Sequence, residues 1–227
     1  MATNTLLAPV WYCVPSKRAD GGTLCEWKQR GYRVAVWRDA GDDPLPLFVD
    51  AILTGEYPGY AQAVNTLVLW VLGQDPTVQW VVSGGDDVLP DAYHTAHEIA
   101  ARCTAHFKGT FGVMQPTGDG HGIESICGSP WIGREFALRV NGGTGPFWYE
   151  YHHNFVDNEL QEVASRLGVF CQMKDLAHKH KNWMWDPKPV RPAFLDKAYS
   201  RPEWDKALAL FTQRKQMGFP GHEEGAL

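Results

Sequence analysis

The sequence lacks the marks of several common protein classes. Its 227 residues include only five cysteines, which are widely spaced and form no CxxC pair, so neither a zinc knuckle nor a disulfide framework is supported. The longest apolar run, around Leu67–Leu72, is far too short to cross a bilayer. The N-terminus has no basic region followed by an apolar core, so we expect a cytoplasmic protein without a membrane partner.

Two common phosphate-binding loops are also missing. The pattern GxGxxG does not follow the first predicted strand, and GxxxxGK[ST] occurs nowhere in the chain. If this protein binds a nucleotide, neutralising its phosphates would therefore fall to a metal ion.

The charge of the chain is unevenly distributed. A net charge of −5 is unlike that of an overall basic nucleic-acid-binding protein, and a hydrophobic share of 44% is that of a soluble globular protein. Between Lys174 and Lys215, however, ten bases stand against five acids, an excess of five positive charges. Such a stretch either guides a polyanion to one face of the protein or forms a solvated helix surface.

Predicted strands and helices alternate through the first half of the chain. The strands are Leu7–Val14, Tyr32–Trp37, Val78–Val82 and Phe111–Gln115, and the helices are Arg18–Arg30, Gly59–Leu72 and Asp91–His106. This order predicts an α/β fold with a parallel sheet and right-handed crossovers. The second half is predicted to hold a Gly-rich loop at Gly118–Gly128, helices at Pro130–Asn141, Phe155–Leu167 and Pro202–Met217, and a strand at Val169–Gln172.

The most informative segment is VQWVVSGGDDVLP, Val78–Pro90. Its buried strand ends in a turn of small residues that carries Asp86 and Asp87. Open α/β folds bind ligands at the carboxyl edge of the sheet, and paired carboxylates suit a hard divalent cation. The alternative is a strand followed by a polar turn. Asp39, which ends the second predicted strand, could similarly bind a base or a ribose, or serve as a turn residue.

A second cluster of polar side chains lies in WYEYHHNFVDNEL, Trp148–Leu160. Asp157 stands where a helix is predicted to begin, so its carboxylate could face a cleft and act as general base on an acceptor hydroxyl. The alternative is an acid that only complements the helix dipole, and Glu159 fits that alternative better.

A third cluster, DLAHKHKNW at Asp175–Trp183, contains two histidines. His178 and His180 are two residues apart, so both would face one side of a strand. One histidine added to two acids would complete a ligand set for Mn²⁺ or Mg²⁺, whereas a histidine pair in a basic loop is more often a surface feature.

Together these clusters resemble a GT-A-fold glycosyltransferase of the family 2-like branch. The similar segments are VPSKR at Val14–Arg18, RDAGDDP at Arg38–Pro44, GYAQAVN at Gly59–Asn65, the acids after the third strand, HNFVDNEL and KDLAHKHKNW. The chain departs from the family at Gly84 or Gly85, where the first Asp of the metal motif usually stands, and at Val156, where a Glu usually precedes the base.

The resemblance implies a Rossmann-like GT-A domain at 1–185, with a donor half at about 1–115 and an acceptor half at about 116–185, followed by a helical C-terminal extension at 186–227. It implies Asp157 as the catalytic base and Mn²⁺ or Mg²⁺ bound by Asp86, Asp87 and His180, with His178 as the alternative histidine. The implied donor is a nucleoside-diphosphate sugar, UDP-sugar first. The implied donor-binding residues are Pro15, Arg18, Asp39, Asn65, Gly85 and Asp86. A nucleotidyltransferase or a silent binding module on the same fold is the alternative.

The acceptor is the least constrained feature. The small chain resembles bacteriophage enzymes that glycosylate hydroxymethylpyrimidines in DNA, which would place it in the host cytoplasm. Its basic C-terminal stretch and Trp183, Trp185 and Trp204 would suit DNA through phosphate contacts and base stacking. A small molecule, a glycan, a lipid-linked sugar or a protein is the alternative acceptor.

Overall fold

The computed structural model describes residues 8–45, 48–117, 128–181 and 193–222. Its strands are β1 (Trp11–Pro15), β2 (Arg33–Asp39), β3 (Ala51–Gly55), β4 (Trp80–Ser83), β5 (Val88–Leu89), β6 (Val113–Thr117), β7 (Trp131–Gly133), β8 (Phe170–Ala177) and β9 (Lys179–His180). Its α-helices are α1 (Leu24–Gln29), α2 (Tyr60–Gln74), α3 (Ala96–Phe107), α4 (Arg134–Arg139), α5 (Val156–Arg166) and α6 (Arg201–Gln216). Among these, no helix combines the length and the apolar character that a membrane span requires.

Seven strands form one mixed sheet in the order β3-β2-β1-β4-β7-β6-β8. Strand β1 runs parallel to β2 and β4, β3 runs parallel to β2, and β8 runs parallel to β6. Strand β7 lies between β4 and β6 and is antiparallel to both. The predicted α/β fold with a mostly parallel sheet and a C-terminal helix is confirmed.

The central strands bury both faces because helices cover both sides of the sheet. Side chains of β1 alternate between two apolar clusters, with Trp11 and Cys13 in one and Tyr12 and Val14 in the other. Helices α2 and α5 contribute to the first cluster, while α1 and α3 contribute to the second. With both faces covered, the strand ends and the loops that follow them are left to form a ligand site.

The predicted helix Pro130–Asn141 is wrong in its first part. Trp131–Gly133 forms β7, and helix α4 begins only at Arg134. All three residues of β7 are buried. A stretch this short and fully buried has no hydrophobic periodicity by which a strand could be told from a helix. The sequence patterns also missed β3, a half-buried strand at the sheet edge, and the two-residue strands β5 and β9.

Several sequence predictions fall outside the described residues. They concern Leu7, residues 118–127 of the Gly-rich loop, Trp183, Trp185, and the bases Lys188 and Arg191.

The C-terminal helix α6 is fastened to α5 by a buried ion pair. Arg214 donates hydrogen bonds of 2.7 to 2.9 Å to the carboxylate of Glu159, and both side chains are 3% exposed. The hydroxyl of Tyr151 donates to the same carboxylate at 2.8 Å, and the Arg214 guanidinium lies 3.5 Å from the ring centroid of Trp148. Helix α6 is thus packed against the body of the protein, while the division at residue 185 stays a prediction.

Candidate active site at the carboxyl edge of the sheet

The candidate site lies where parallel strands end. Pro15 ends β1, Asp39 ends β2 and Ser83 ends β4, and the parallel pairing brings these three ends to one edge of the sheet. The loop after β1 carries Arg18, a predicted donor-binding residue, and the turn after β4 carries the predicted acids Asp86 and Asp87. Such an edge is the usual ligand position in open α/β folds.

The loop after β1 holds the side chain of Asp86. Ser16 Oγ donates to Asp86 Oδ2 at 2.6 Å, and Arg18 Nε donates to Oδ1 at 2.9 Å. Burial raises the pKa of Asp86, although the hydrogen bonds from Ser16 and Arg18 act in the opposite direction. Both oxygens of this predicted metal ligand therefore already have donors, and its carboxylate faces the loop after β1.

The backbone of Asp86 is equally constrained. The Thr23 amide donates to the Asp86 carbonyl at 2.9 Å. Gly22 lies beside it with φ +56°, and a Cβ on Gly22 would stand 2.2 Å from that carbonyl oxygen. Because any other residue would collide, Gly22 is required for this close approach.

Asp87 and His180 are brought together by the small sheet of β5 and β9. The antiparallel pairing places Val88 opposite His180, and the Lys181 amide donates to the Asp87 carbonyl at 2.8 Å. As a result His180 Nε2 lies 3.1 Å from Asp87 Oδ1. Two of the three predicted metal ligands therefore meet.

His178, the alternative ligand, points elsewhere. It lies between β8 and β9, is 1% exposed, and its Nδ1 is 2.9 Å from Ser129 Oγ. Its ring packs edge-on against Trp27 at 5.0 Å, and burial lowers its pKa to about 4. The two histidines do not face one side, because the strand is interrupted between them.

The Asp87–His180 pair fits one corner of a divalent-ion site. Adjacent ligands of an octahedral Mg²⁺ with bonds of about 2.1 Å stand about 3 Å apart, and the observed separation is 3.1 Å. No group of three or more His, Cys, Asp or Glu side chains gathers among the described residues. Nucleotide-bound ions commonly use one or two protein ligands and take the rest from phosphates and water, so this pair suits a metal that arrives with its nucleotide.

The other predicted donor residues have distinct positions. Asp39 forms an ion pair with Lys17. The Gly85 carbonyl accepts a hydrogen bond of 2.6 Å from the Tyr12 hydroxyl. Asn65 is buried and exchanges side-chain amide bonds of 2.7 and 3.0 Å with the backbone of Phe147, so it joins α2 to the segment before α5. The structure thus uses both ends of the Asn65 amide inside the protein.

Arg38 is a residue that the sequence patterns did not identify. It is 3% exposed, and its Nη1 donates to the carbonyls of Ser16 and Arg18 at 3.2 and 3.1 Å. It therefore supports the loop that holds Asp86. Its position at the end of a buried strand was the available sequence signal, since buried arginines are almost always paired.

Asp157 lies in the first turn of α5, as predicted. The residue before this helix, Phe155, has φ +65°, a costly conformation for a non-glycine residue that is found preferentially at functional sites. Burial raises the pKa of Asp157, although the Asn158 amide donates to its Oδ1 at 3.0 Å. A carboxyl group of this kind is suited to accept a proton.

Tyr60 links the neighbourhood of Asp157 to the turn that carries the acids. Its hydroxyl lies 3.4 Å from the Gly84 carbonyl, and its pKa is raised by burial and also by the negative charge of Asp157. The ring of His153 packs edge-on against Tyr60 at 6.1 Å. Burial lowers the pKa of His153 to about 4, against a smaller opposite effect of Asp87. Tyr60 thus contacts both the turn that carries Asp86 and Asp87 and the ring of His153.

The basic C-terminal segment is less available than its composition indicates. Arg214 is buried against Glu159, Arg201 pairs with Asp205, and Lys215 pairs with Glu162. The exposed bases that flank His180 are Lys179 and Lys181, and Lys174 is exposed on β8. Trp204 is 43% exposed.

Comparisons with known proteins give structural matches only. No family model and no curated protein matches the chain. One similar solved structure is a glycosyltransferase involved in glycosylation of the major capsid of PBCV-1, with TM-score 0.42 and 11% identity over 76% of this chain and 94% of that one. Another is the catalytic domain of Drosophila beta1,4galactosyltransferase 7 in complex with xylobiose, with TM-score 0.45 and 13% identity over 85% of this chain and 79% of that one.

Proposed function

We propose that this protein is a metal-dependent glycosyltransferase that moves a sugar from a nucleoside-diphosphate donor, UDP-sugar first, to a hydroxyl acceptor. The observation that carries the proposal is the meeting of Asp87 with His180 at 3.1 Å, at a sheet edge where Asp86 is fixed by Arg18. The pKa of Asp157 is raised by burial, and the charge of Asp157 contributes to the raised pKa of Tyr60.

The residues would divide the work by their chemistry. A divalent ion held by Asp87 and His180 would supply charge neutralisation for the diphosphate and its leaving oxygen. Arg18 and Lys17 place positive charge beside the loop where the donor nucleotide would bind, with Asp86 and Asp39 as acceptors for its hydroxyl or base hydrogens.

Asp157 would orient the acceptor hydroxyl and take its proton at one carboxylate oxygen. The acceptor oxygen would then attack the anomeric carbon as the diphosphate leaves. A base with a raised pKa is better matched to this task near neutral pH than an ordinary carboxylate. Tyr60 and His153 would exclude water between the two halves of the site.

Hydroxymethylpyrimidine in DNA, the first acceptor considered from sequence, draws support from Lys179 and Lys181, which are exposed and flank His180. Arg201, Arg214 and Lys215 are already paired with acids, so these three bases are less able to contact DNA phosphates. A glycan or small-molecule acceptor is the alternative.

The proposal is tested by incubating the protein with a panel of NDP-sugars, Mn²⁺ and mixed acceptors, and identifying products by mass spectrometry. We expect release of the nucleoside diphosphate that EDTA and Asp87→Ala abolish. Asp175→Ala, which removes a 64% exposed carboxylate paired with Arg102, is the matched control and should have no effect. Full activity in EDTA, or reaction of labelled NTPs in place of NDP-sugars, would contradict the proposal.

A further inference from the structure

A cavity lies between the segment 149–154 and helix α6. Its volume is about 340 Å³, within the range of small-molecule sites. The lining residues on which its binding properties depend are Tyr149, Glu150, His153, Glu203, Lys206 and Leu210.

The cavity shares a wall with the candidate active site. His153 lines the cavity, and its ring packs against Tyr60 at 6.1 Å. The Tyr60 hydroxyl in turn lies 3.4 Å from the Gly84 carbonyl, in the turn that carries the acids. A ligand in the cavity would therefore be separated from the sheet edge by one layer of side chains.

The lining combines hydrogen-bond acceptors with an exposed aromatic ring. The Glu150 carboxylate is held by Trp148 Nε1 at 3.2 Å and by the Tyr149 hydroxyl at 3.4 Å. Glu203 lines the cavity from α6, and the Tyr149 side chain is 44% exposed. Carboxylates accept hydrogen bonds from hydroxyl groups, and an aromatic face covers the C–H face of a pyranose ring.

The charge of the lining disfavours a polyanion. Two carboxylates, Glu150 and Glu203, stand against the ammonium of Lys206. Burial lowers the pKa of both His152 and His153, so neither imidazole adds a positive charge at neutral pH. A phosphate backbone would meet a net negative wall, whereas a neutral polyhydroxylated molecule would not.

We infer that this cavity binds the acceptor and that the acceptor is a neutral glycoside. Glu150 and Glu203 accept hydrogen bonds from its hydroxyls, Tyr149 stacks on its ring, and His153 forms the side of the cavity next to Tyr60. The inference rests on the proposed glycosyltransferase function and deepens it, since it names the class of acceptor.

The test is saturation-transfer NMR on the full chain with UDP, Mn²⁺ and a panel of methyl β-glycosides and their β1,4-linked disaccharides. At least one glycoside should receive saturation, strongest on its C–H face. Glu203→Gln should weaken its binding about 10-fold or more, the worth of a hydrogen bond to a charged group. Tyr149→Ala should remove the saturation of the C–H face.

Asp205→Asn is the matched control, because Asp205 lies on the same helix, two residues along, and pairs with Arg201 outside the cavity. It should leave glycoside binding unchanged. The inference would be overturned if Glu203→Gln did not weaken glycoside binding. It would also be overturned if a DNA oligonucleotide displaced the glycoside and Glu203→Gln weakened the binding of that oligonucleotide. Saturation of UDP without any glycoside would overturn the inference alone, while absence of UDP binding would overturn the proposed function.

Discussion

Two carboxylates at the start of α5 have opposite environments. Burial raises the pKa of Asp157, and no ion pair compensates it among the described contacts. Burial acts in the same direction on Glu159, but the hydrogen bonds from Arg214 and Tyr151, together with His222 at 4.0 Å, prevail and lower its pKa. Under the proposed function Asp157 would transfer the proton, whereas Glu159 is bound to Arg214 in a buried ion pair.

Asp157→Asn should slow turnover by about 10²- to 10⁴-fold, the usual loss for a general base. It should not lower the melting temperature. A carboxyl group whose pKa is raised by folding contributes stability below its unfolded pKa, and this contribution is lost as pH rises through its folded pKa. At neutral pH the buried charge of Asp157 therefore lowers the stability of the protein, and an uncharged Asn at this position would not. The measurements are kcat with donor affinity, and thermal unfolding at pH 7. Near-normal turnover would move the role of base to Glu150.

Gly22→Ala should weaken UDP binding about 10-fold, the worth of one hydrogen bond to a charged group. The new Cβ would stand 2.2 Å from the Asp86 carbonyl oxygen, so the Asp86 backbone would have to move and its carboxylate would be displaced. Gly31→Ala is the matched control, since Gly31 also has positive φ, at +86°, but a Cβ there would meet nothing within 4 Å. Both variants should lose stability through strain, and only Gly22→Ala should lose affinity by calorimetry. Equal affinities would contradict the fixed position of Asp86.

At the scale of elements, the buried Glu159–Arg214 pair joins α5 to α6. Glu159→Gln should lower the free energy of unfolding by about 3–5 kcal/mol, because it leaves the Arg214 charge buried without its partner. Glu162→Gln is the matched control on the same helix, where the pair with Lys215 is exposed and contributes less than about 1 kcal/mol. Urea unfolding measures both changes.

The same pair gives a pH dependence. Because the folded pKa of Glu159 is lowered, its contribution is present above the unfolded pKa and is lost as pH falls through the folded pKa. Wild-type stability should therefore decrease below the ordinary carboxyl range more steeply than that of Glu159→Gln. Parallel pH profiles would show that the pair contributes nothing.

The elements that sequence patterns predicted are those with strong local patterns. Strands β1, β2 and β4 are apolar runs that end at polar turns, which located Asp39, Asp86 and Asp87. The predicted helix Asp91–His106 began too early, since α3 begins after Thr95, whose side chain and Glu98 form a capping box.

What the sequence could not predict depends on contacts between distant residues. The pairing of β5 with β9 brings His180, and not His178, to Asp87, and it involves only two residues in each strand. The hydrogen bond between Ser16 and Asp86 joins residues 70 positions apart, and no local period predicts it. Arg38 and Tyr60 likewise have roles that appear only when the sheet and α2 are assembled.

At the scale of the whole molecule, the net charge of −5 and the paired bases of the C-terminal segment leave a limited positive surface. We expect the acceptor affinity to change less than about 2-fold between 50 and 200 mM salt. A DNA acceptor that contacts six or more phosphates would lose about 10³- to 10⁵-fold over that range through counterion release. Measuring the acceptor KM across the salt series distinguishes a neutral acceptor from DNA. A steep dependence of KM on salt concentration that becomes shallower in Lys179→Ala and Lys181→Ala would support DNA.

The proposed function requires a nucleoside diphosphate and a divalent ion to bind together at the sheet edge that carries Asp86, Asp87 and His180. The most direct measurement is titration calorimetry of UDP into the protein with Mn²⁺, with EDTA, and in Asp87→Ala and Asp175→Ala. We expect UDP binding that requires Mn²⁺, is lost in Asp87→Ala and is unchanged in Asp175→Ala. UDP binding of equal affinity in EDTA and in Asp87→Ala would contradict it.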